Sequence, residues 1–488
     1  MTPDVSLTEV AERYKAALPA GTFFHFPITG LDRSCVAAWS NVYLPGPLGG
    51  GDGYGVTDAE AEVGTLGELH ERLQSKWTVP RLRTEEASFT DMAEIYGADC
   101  VTNPVSLGLP AGSDYRPEQA RLWVRAKRYP EGEKWTLLEA IASSPTELPT
   151  GYTPLFVPVS NGLGAGLSKE RALCHAVLEI LQRDGNSVSY RALDRGRVID
   201  LPDKLPDDLG DIFKNLNAAG IATNVKLAAT DFGLINLYVN GYGPDGDHPQ
   251  IKLAAGGEAC DFDRAAALRK ALLEFAFSRA RLAFAHGPLV EVRGHAPAGY
   301  LETHRAHAEP EKEEARALQA MLEWLKLSPT ELKKRLSPIY AERERVPWQG
   351  LPSRPELAQA DPAIKLGELA KRLEDFEILY LELAAERARS KGVCAVKAVI
   401  PGLEVETVSY GRIGERNLRR LLKRVSPLVG IGAPLAGAAR IHLSEAAQAE
   451  LSGPAWLHVE KLNALTQKLY PLYREPSRHA ARYALEEA

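Results

Sequence analysis

Three stretches of this 488-residue chain set charged side chains on one face of a helix, and each follows closely spaced glycines. In the central stretch, residues 160–184, Leu173, Val177, Ile180 and Leu181 recur at helical spacing and make an apolar stripe. At about 100° per residue, Arg171, His175, Glu179, Gln182 and Arg183 fall on the other side, among the small Ala172 and Ala176. An earlier helix, running to about Gln74, sets Glu60, Gly64, Glu68 and Glu71 opposite Val63, Leu66 and Leu73. A later one sets Lys270, Glu274 and Arg281 opposite Leu268, Leu272, Phe275 and Leu282. A polar face with room above it suits a charged ligand. One such face is what plain solvation produces, so it is the recurrence over three helices that points to a site.

The elements that must hold these faces can be read from capping and turn chemistry. Ser168 and Asp263 are placed to cap their helices, and Thr57-Asp-Ala-Glu60 has the form of a capping box. Ahead of the helices lie Gly51, Gly53 and Gly55, then Gly162, Gly164 and Gly166, then Gly256 and Gly257. Residues 45–55, with six glycines, read as a loop, either a plain flexible connection or one that lets backbone approach phosphates. Residues 155–159 and 251–255 read as buried strands leading into the second and third glycine turns. Residues 22–27 and 35–43 alternate like a hairpin, and 198–201, 224–228 and 234–240 read as strands, with a helix near 209–219. A helix covers residues 1 to about 20, a proline-broken charged helical tract covers 304–392, and a basic helix carries Arg419, Arg420, Lys423 and Arg424. The pattern is α+β, mixed α/β, with helices packed over sheet faces.

A formal charge of -6 and a pI near 6.1 give no bulk attraction for nucleic acid or an anionic membrane, so neither is expected as a partner. Cys35, Cys100, Cys174, Cys260 and Cys394 are scattered without a CxxC pair, which argues against a disulfide framework or structural zinc and suits a cytoplasmic protein. The acidic, amphipathic first residues do not read as a secretion signal, and no apolar run reaches transmembrane length. His295, His304 and His307 lack carboxylate or cysteine partners at useful offsets and read as surface histidines.

The segments GYGVTDAEAEVGTLGELHERL, VSNGLGAGLSKERALCHAVLEILQRD and GGEACDFDRAAALRKALLEFAFSRAR resemble, in order and spacing, the signature blocks of the YcaO family. VCAVKAVIPGLE, residues 393–404, resembles the family's late strand and Pro-Gly-Leu turn. The resemblance runs from about residue 30 to about residue 417 and implies a YcaO-type fold. On that reading residues 1–29 are an N-terminal helical extension, 30–417 an ATP-binding catalytic domain with a helical insertion at about 304–392, and 418–488 a helical C-terminal segment.

The resemblance further implies an enzyme that uses ATP and Mg²⁺ to activate a backbone amide of a peptide or protein, giving an azoline ring or a thioamide. Its residues carry over as Glu68, Glu71, Glu179 and Glu274 on the metal, with Arg183 and Lys270 on nucleotide phosphates and Gln182 beside them. No general base is implied. The chain departs from the family pattern at Gln182 and Arg171, where glutamates are usual, at Leu167 and Gly64, where polar residues are usual, and at Lys270, where arginine is usual. These departures keep open a second reading, a catalytically degenerate scaffold that binds a peptide or partner protein. The proline-rich ending of many azoline-forming members is missing, which weighs towards thioamide formation or another amide modification. A leader-recognition or sulfide-delivery partner and a homodimer complete the expectations.

Overall fold

The computed structural model describes residues 5–44, 49–244, 246–434 and 436–486. Part of the glycine loop expected at 45–55, and the first four residues of the expected N-terminal helix, lie outside these. Eight elements carry the argument: β1 (Gly49–Gly55), α1 (Asp58–Thr78), β2 (Leu163–Gly166), α2 (Lys169–Asn186), β3 (Gly256–Asp261), α3 (Arg264–His286), β4 (Cys394–Val399) and α4 (Glu415–Lys423). They contain one arrangement three times over, a glycine-bearing strand, a two-residue link and a long helix. The second link residue is the cap in each case: Thr57 Oγ1 accepts from Glu60 N, Ser168 Oγ from Arg171 N, and Asp263 Oδ2 from Ala265 N and Ala266 N. At the first cap Glu60 does not return to Thr57; its carboxylate accepts from Val56 N instead.

Apart from Gly162, which sits in a turn, these glycines lie in strands. An added Cβ would lie 2.2 Å from Thr65 N of α1 at Gly53, 2.1 Å from Ala172 O of α2 at Gly164, and 2.1 Å from Ala271 O of α3 at Gly257. Each helix therefore rests directly on the backbone of its strand, an approach that excludes every other residue. This corrects the two strand expectations beside them. Residues 155–159 form no ladder, since Pro154 and Pro158 remove amides there, and residues 250–254 form a 3₁₀ turn. The ladders begin later, at β2 and β3.

The chain divides into two compact units. The first comprises Met1–Leu69, Ser189–Gln359 and Lys468–Ala488. It holds an antiparallel sheet of Thr22–Pro27, Ala37–Leu44 and β1. It also holds a five-stranded sheet in the order β3, Ile235–Tyr242, Ala222–Ala229, Arg197–Asp200, Glu344–Pro347, whose last pair is parallel. Helix α3 serves both cores: Leu268, Leu272 and Phe275 join the cluster on the larger sheet, and Phe277, Ala280 and Phe284 the cluster with Phe26, Ile28 and Val42. Each of these buried Leu, Ile, Val and Phe side chains contributes roughly 1.5–3 kcal/mol on burial. The hairpin expected from residues 22–27 and 35–43 forms here, as the antiparallel pair Thr22–Pro27 and Ala37–Leu44.

The second unit comprises His70–Val188 and Ala360–Gln467. Its main sheet runs Glu85–Ala87, Arg121–Tyr129, Ile378–Glu382, β4, β2, with Glu133–Leu137 beside Arg121–Tyr129. Trp123 is fully buried in this unit's core. Helix α4 is basic because it closes the end of α2. Arg420 donates to Asp184 O, Arg424 to Val188 O, and Arg416 and Arg420 to the buried Asp184 carboxylate. His304, read as a surface residue, is instead 3 % exposed and bonded to the Tyr483 hydroxyl in the first unit, because the helical residues around it pack inward. No helix among the described residues is long and apolar enough to cross a membrane.

Candidate active site

The expected metal-binding glutamates share one local geometry. In the first unit Glu68 accepts from Asp52 N at 2.6 Å, and Glu274 accepts from Glu258 N at 3.2 Å and from the Tyr54 hydroxyl at 3.4 Å. In the second unit Glu71 accepts from Ala165 N at 3.0 Å and Glu179 from Gly162 N at 3.0 Å. Each carboxylate is thus oriented by a backbone amide on or beside a glycine-bearing strand. The division between the units falls within α1, so that Glu68 belongs to the first and Glu71 to the second.

In the first unit the site is built around β1. Gly51, Gly53 and Gly55 meet α1, while Tyr54 packs against Phe277 of α3 and reaches Glu274. Burial raises the Tyr54 hydroxyl well above its ordinary pKa, and Glu274, Glu68 and Glu258 push it the same way, so it remains a donor. Two arginines flank these carboxylates. Arg281, expected on the polar face of α3, pairs with Glu475 through two bonds of 2.9 and 2.7 Å, and Arg478 pairs with Asp52 at 3.0 Å. Lys270, half-buried one turn before Glu274, has neither hydrogen bond nor ion pair with any described residue.

In the second unit His175 Nε2 lies 3.7 Å from Glu71 Oε1, and Arg183 Nη2 lies 3.6 Å from Glu179 Oε1. The Arg183–Glu179 contact, on partly exposed side chains, adds only about 0.3–0.5 kcal/mol. Gln182 does not share this exposure; at 5 % exposed it lies beneath the polar face. Arg171 is exposed and points away from the unit's interior. A cavity of about 60 Å³ opens beside Arg183, lined also by Asn161, Lys397, Glu404 and Arg412.

The donor set fits Mg²⁺ bound together with phosphates. The side chains offered are carboxylates, hard oxygen donors held in place before any ligand arrives. Among the described residues no three or more His, Cys, Asp or Glu side chains form a ready metal cage. Mg²⁺ characteristically takes one or two carboxylates and completes its shell with water and phosphate oxygens, so a cage is not what it requires. Asp52, Tyr54, Glu258 and Lys397 were not anticipated. The alternation Gly51-Asp-Gly-Tyr-Gly55 is the one signal that marked the first two, since every second position there is open to a side chain.

A family model described as YcaO cyclodehydratase, ATP- and Mg²⁺-binding, matches residues 52–404. An uncharacterized protein of Methanothermobacter thermautotrophicus is 26% identical over 399 residues, covering 80% of this chain and 91% of its own. Among solved structures, YcaO from Methanopyrus kandleri bound with AMPPCP and Mg²⁺ superposes with a TM-score of 0.55 at 15% identity, covering 83% of this chain and 95% of that one. A heterocyclase in complex with substrate and cofactor gives a TM-score of 0.60 at 14% identity over 82% of this chain. The chain spans about half of that heterocyclase, 52%. At these identities the structural likeness is one of fold.

Proposed function

Because the chain belongs to the YcaO family, we propose that it activates a backbone amide of a ribosomally made peptide or protein at the expense of ATP, yielding an azoline ring or a thioamide. A nucleophile adds to the amide carbon, either a Cys, Ser or Thr side chain of the substrate or external sulfide. ATP, when bound, supplies the phosphoryl group that turns the amide oxygen into a phosphate leaving group, with Mg²⁺ offsetting the charge of the triphosphate. Glu68, Glu71, Glu179 and Glu274 are proposed as oxygen donors to Mg²⁺. Lys270 and Arg183 are proposed to meet phosphates, Lys270 as a point charge and Arg183 with a planar fork. Gln182 offers a hydrogen bond without charge.

The observation that carries this reading is the backbone amide on each of the four glutamates. A scaffold that had lost catalysis would have no need of carboxylates aligned in advance of a ligand. Gln182, buried in place of a carboxylate, is the observation that favours the scaffold. Incubating the protein with candidate peptides, ATP and Mg²⁺, with and without sulfide, and weighing the products separates the outcomes. Loss of water identifies azoline formation, and exchange of oxygen for sulfur identifies a thioamide. Peptide binding with neither change, against a panel that includes peptides encoded beside the gene and their recognition proteins, supports the scaffold.

A further inference from the structure

Lys397 in β4 is 1 % exposed, and no carboxylate of the described residues lies within ion-pair distance of its ammonium. The Nζ donates instead to two backbone carbonyls, Val159 O at 2.5 Å and Asn161 O at 2.6 Å. Burial pushes its pKa down to about 8, with Glu179 and Glu147 acting in the opposite direction and Arg412 in the same one. A buried ammonium without a counter-ion is costly, and the cost is borne where its donors are needed. Next to Lys397, Ala398 N donates to Gly162 O at 2.7 Å, and the turn closes on itself through Leu163 N and Ser160 O. Gly162 has a φ of 81° there, and an added Cβ would lie 2.4 Å from Ala398 O. The chain is thereby fixed so that Gly162 N points at Glu179 Oε2. The cavity beside the clamp is bordered by both Lys397 and Arg183.

We propose that Lys397 is a positioning residue for Glu179: its ammonium clamps the turn at 159–162, and the clamped turn orients the carboxylate through Gly162 N–H. The role of Glu179 towards Mg²⁺ and nucleotide rests on the function proposed above; the clamp itself does not. Lys397→Met gives an unbranched apolar side chain one atom shorter and removes the donors. In nucleotide-free full-length protein, this variant should exchange the Gly162 amide at least about tenfold faster by hydrogen–deuterium exchange, while core amides of Arg121–Tyr129 keep their protection. Its Mg·ATP affinity should fall at least about tenfold. In a Glu179→Gln background the same change should add little, because both substitutions act through one carboxylate. Lys397→Gln, which retains two donors, serves if the methionine variant does not fold, and should fall between it and the wild type. Wild-type exchange at Gly162 in a folded variant, or losses that multiply in the double variant, would overturn the proposal. A wild-type protein that binds no nucleotide overturns the proposed function instead, and the exchange measurement still decides the clamp.

Discussion

A carboxylate that already accepts from a backbone amide has lost most of its rotamer freedom, so a metal arriving at it need not impose that order. Glu68, Glu71, Glu179 and Glu274 all have this property, and the amides come from residues whose own conformation is fixed by a helix lying on the strand. Lys270 differs in kind. It bonds to nothing described in the protein, so its charge is at the disposal of a ligand and contributes little to the fold. Lys270→Met should therefore weaken nucleotide binding by roughly tenfold or more, as expected for a charged hydrogen bond. The melting temperature should stay within a degree or two, since a surface change of this sort is worth under about 0.5 kcal/mol. Calorimetric titration beside a thermal melt checks both halves of this expectation.

At the level of elements, the helices were readable in the sequence and the strands before them were not. Thr57, Ser168 and Asp263 each announced a helix by a local hydrogen bond, and stripes such as Leu173, Val177, Ile180 and Leu181 fixed its buried side. Residues 155–159 and 251–255 looked more like strands than Leu163–Gly166 or Gly256–Asp261 because they carry the branched and apolar side chains. The true strands are glycine-bearing because a helix backbone occupies the place of their side chains, and that cause is tertiary. Glu344–Pro347 was missed for a similar reason, as its Glu-Arg-Val-Pro reads as part of the charged tract. Helix α4 ends in a Schellman motif, with Ser426 N donating to Leu421 O and Val425 N to Leu422 O. The left-handed position there, φ 51°, is held by Val425, which is 89% exposed. A β-branched residue in that conformation costs about 1–2 kcal/mol. Val425→Gly should raise stability by about 1 kcal/mol in denaturant unfolding, the glycine's greater freedom in the unfolded chain offsetting part of the relief.

At the level of the whole molecule, both units depend on carboxylates that burial disfavours and arginines hold ionised. Glu475 in the first unit is kept well below the usual carboxylate range by Arg281 and His286, and Asp184 in the second is lowered by Arg420 and Arg416, in each case against the effect of burial. A folded-state pKa below the unfolded one gives stability that is present above about pH 4 and is lost as the pH falls through the folded value. Melts of the wild type should therefore fall steeply from pH 5 towards pH 3. Glu475→Gln should flatten that slope for probes in the first unit and Asp184→Asn for probes in the second, while both lower stability at pH 7. Equal slopes in variant and wild type would mean that other groups carry the acid sensitivity.

The central proposal is a Mg²⁺-dependent nucleotide site to which Glu179 contributes a carboxylate, and titrating Mg·ATP into the full chain and into Glu179→Gln tests it most directly. The wild type should bind, lose binding when Mg²⁺ is chelated, and exceed the variant by at least about tenfold, the loss expected for a charged ligand group. Wild-type affinity in the folded variant, or binding indifferent to Mg²⁺, would contradict the account.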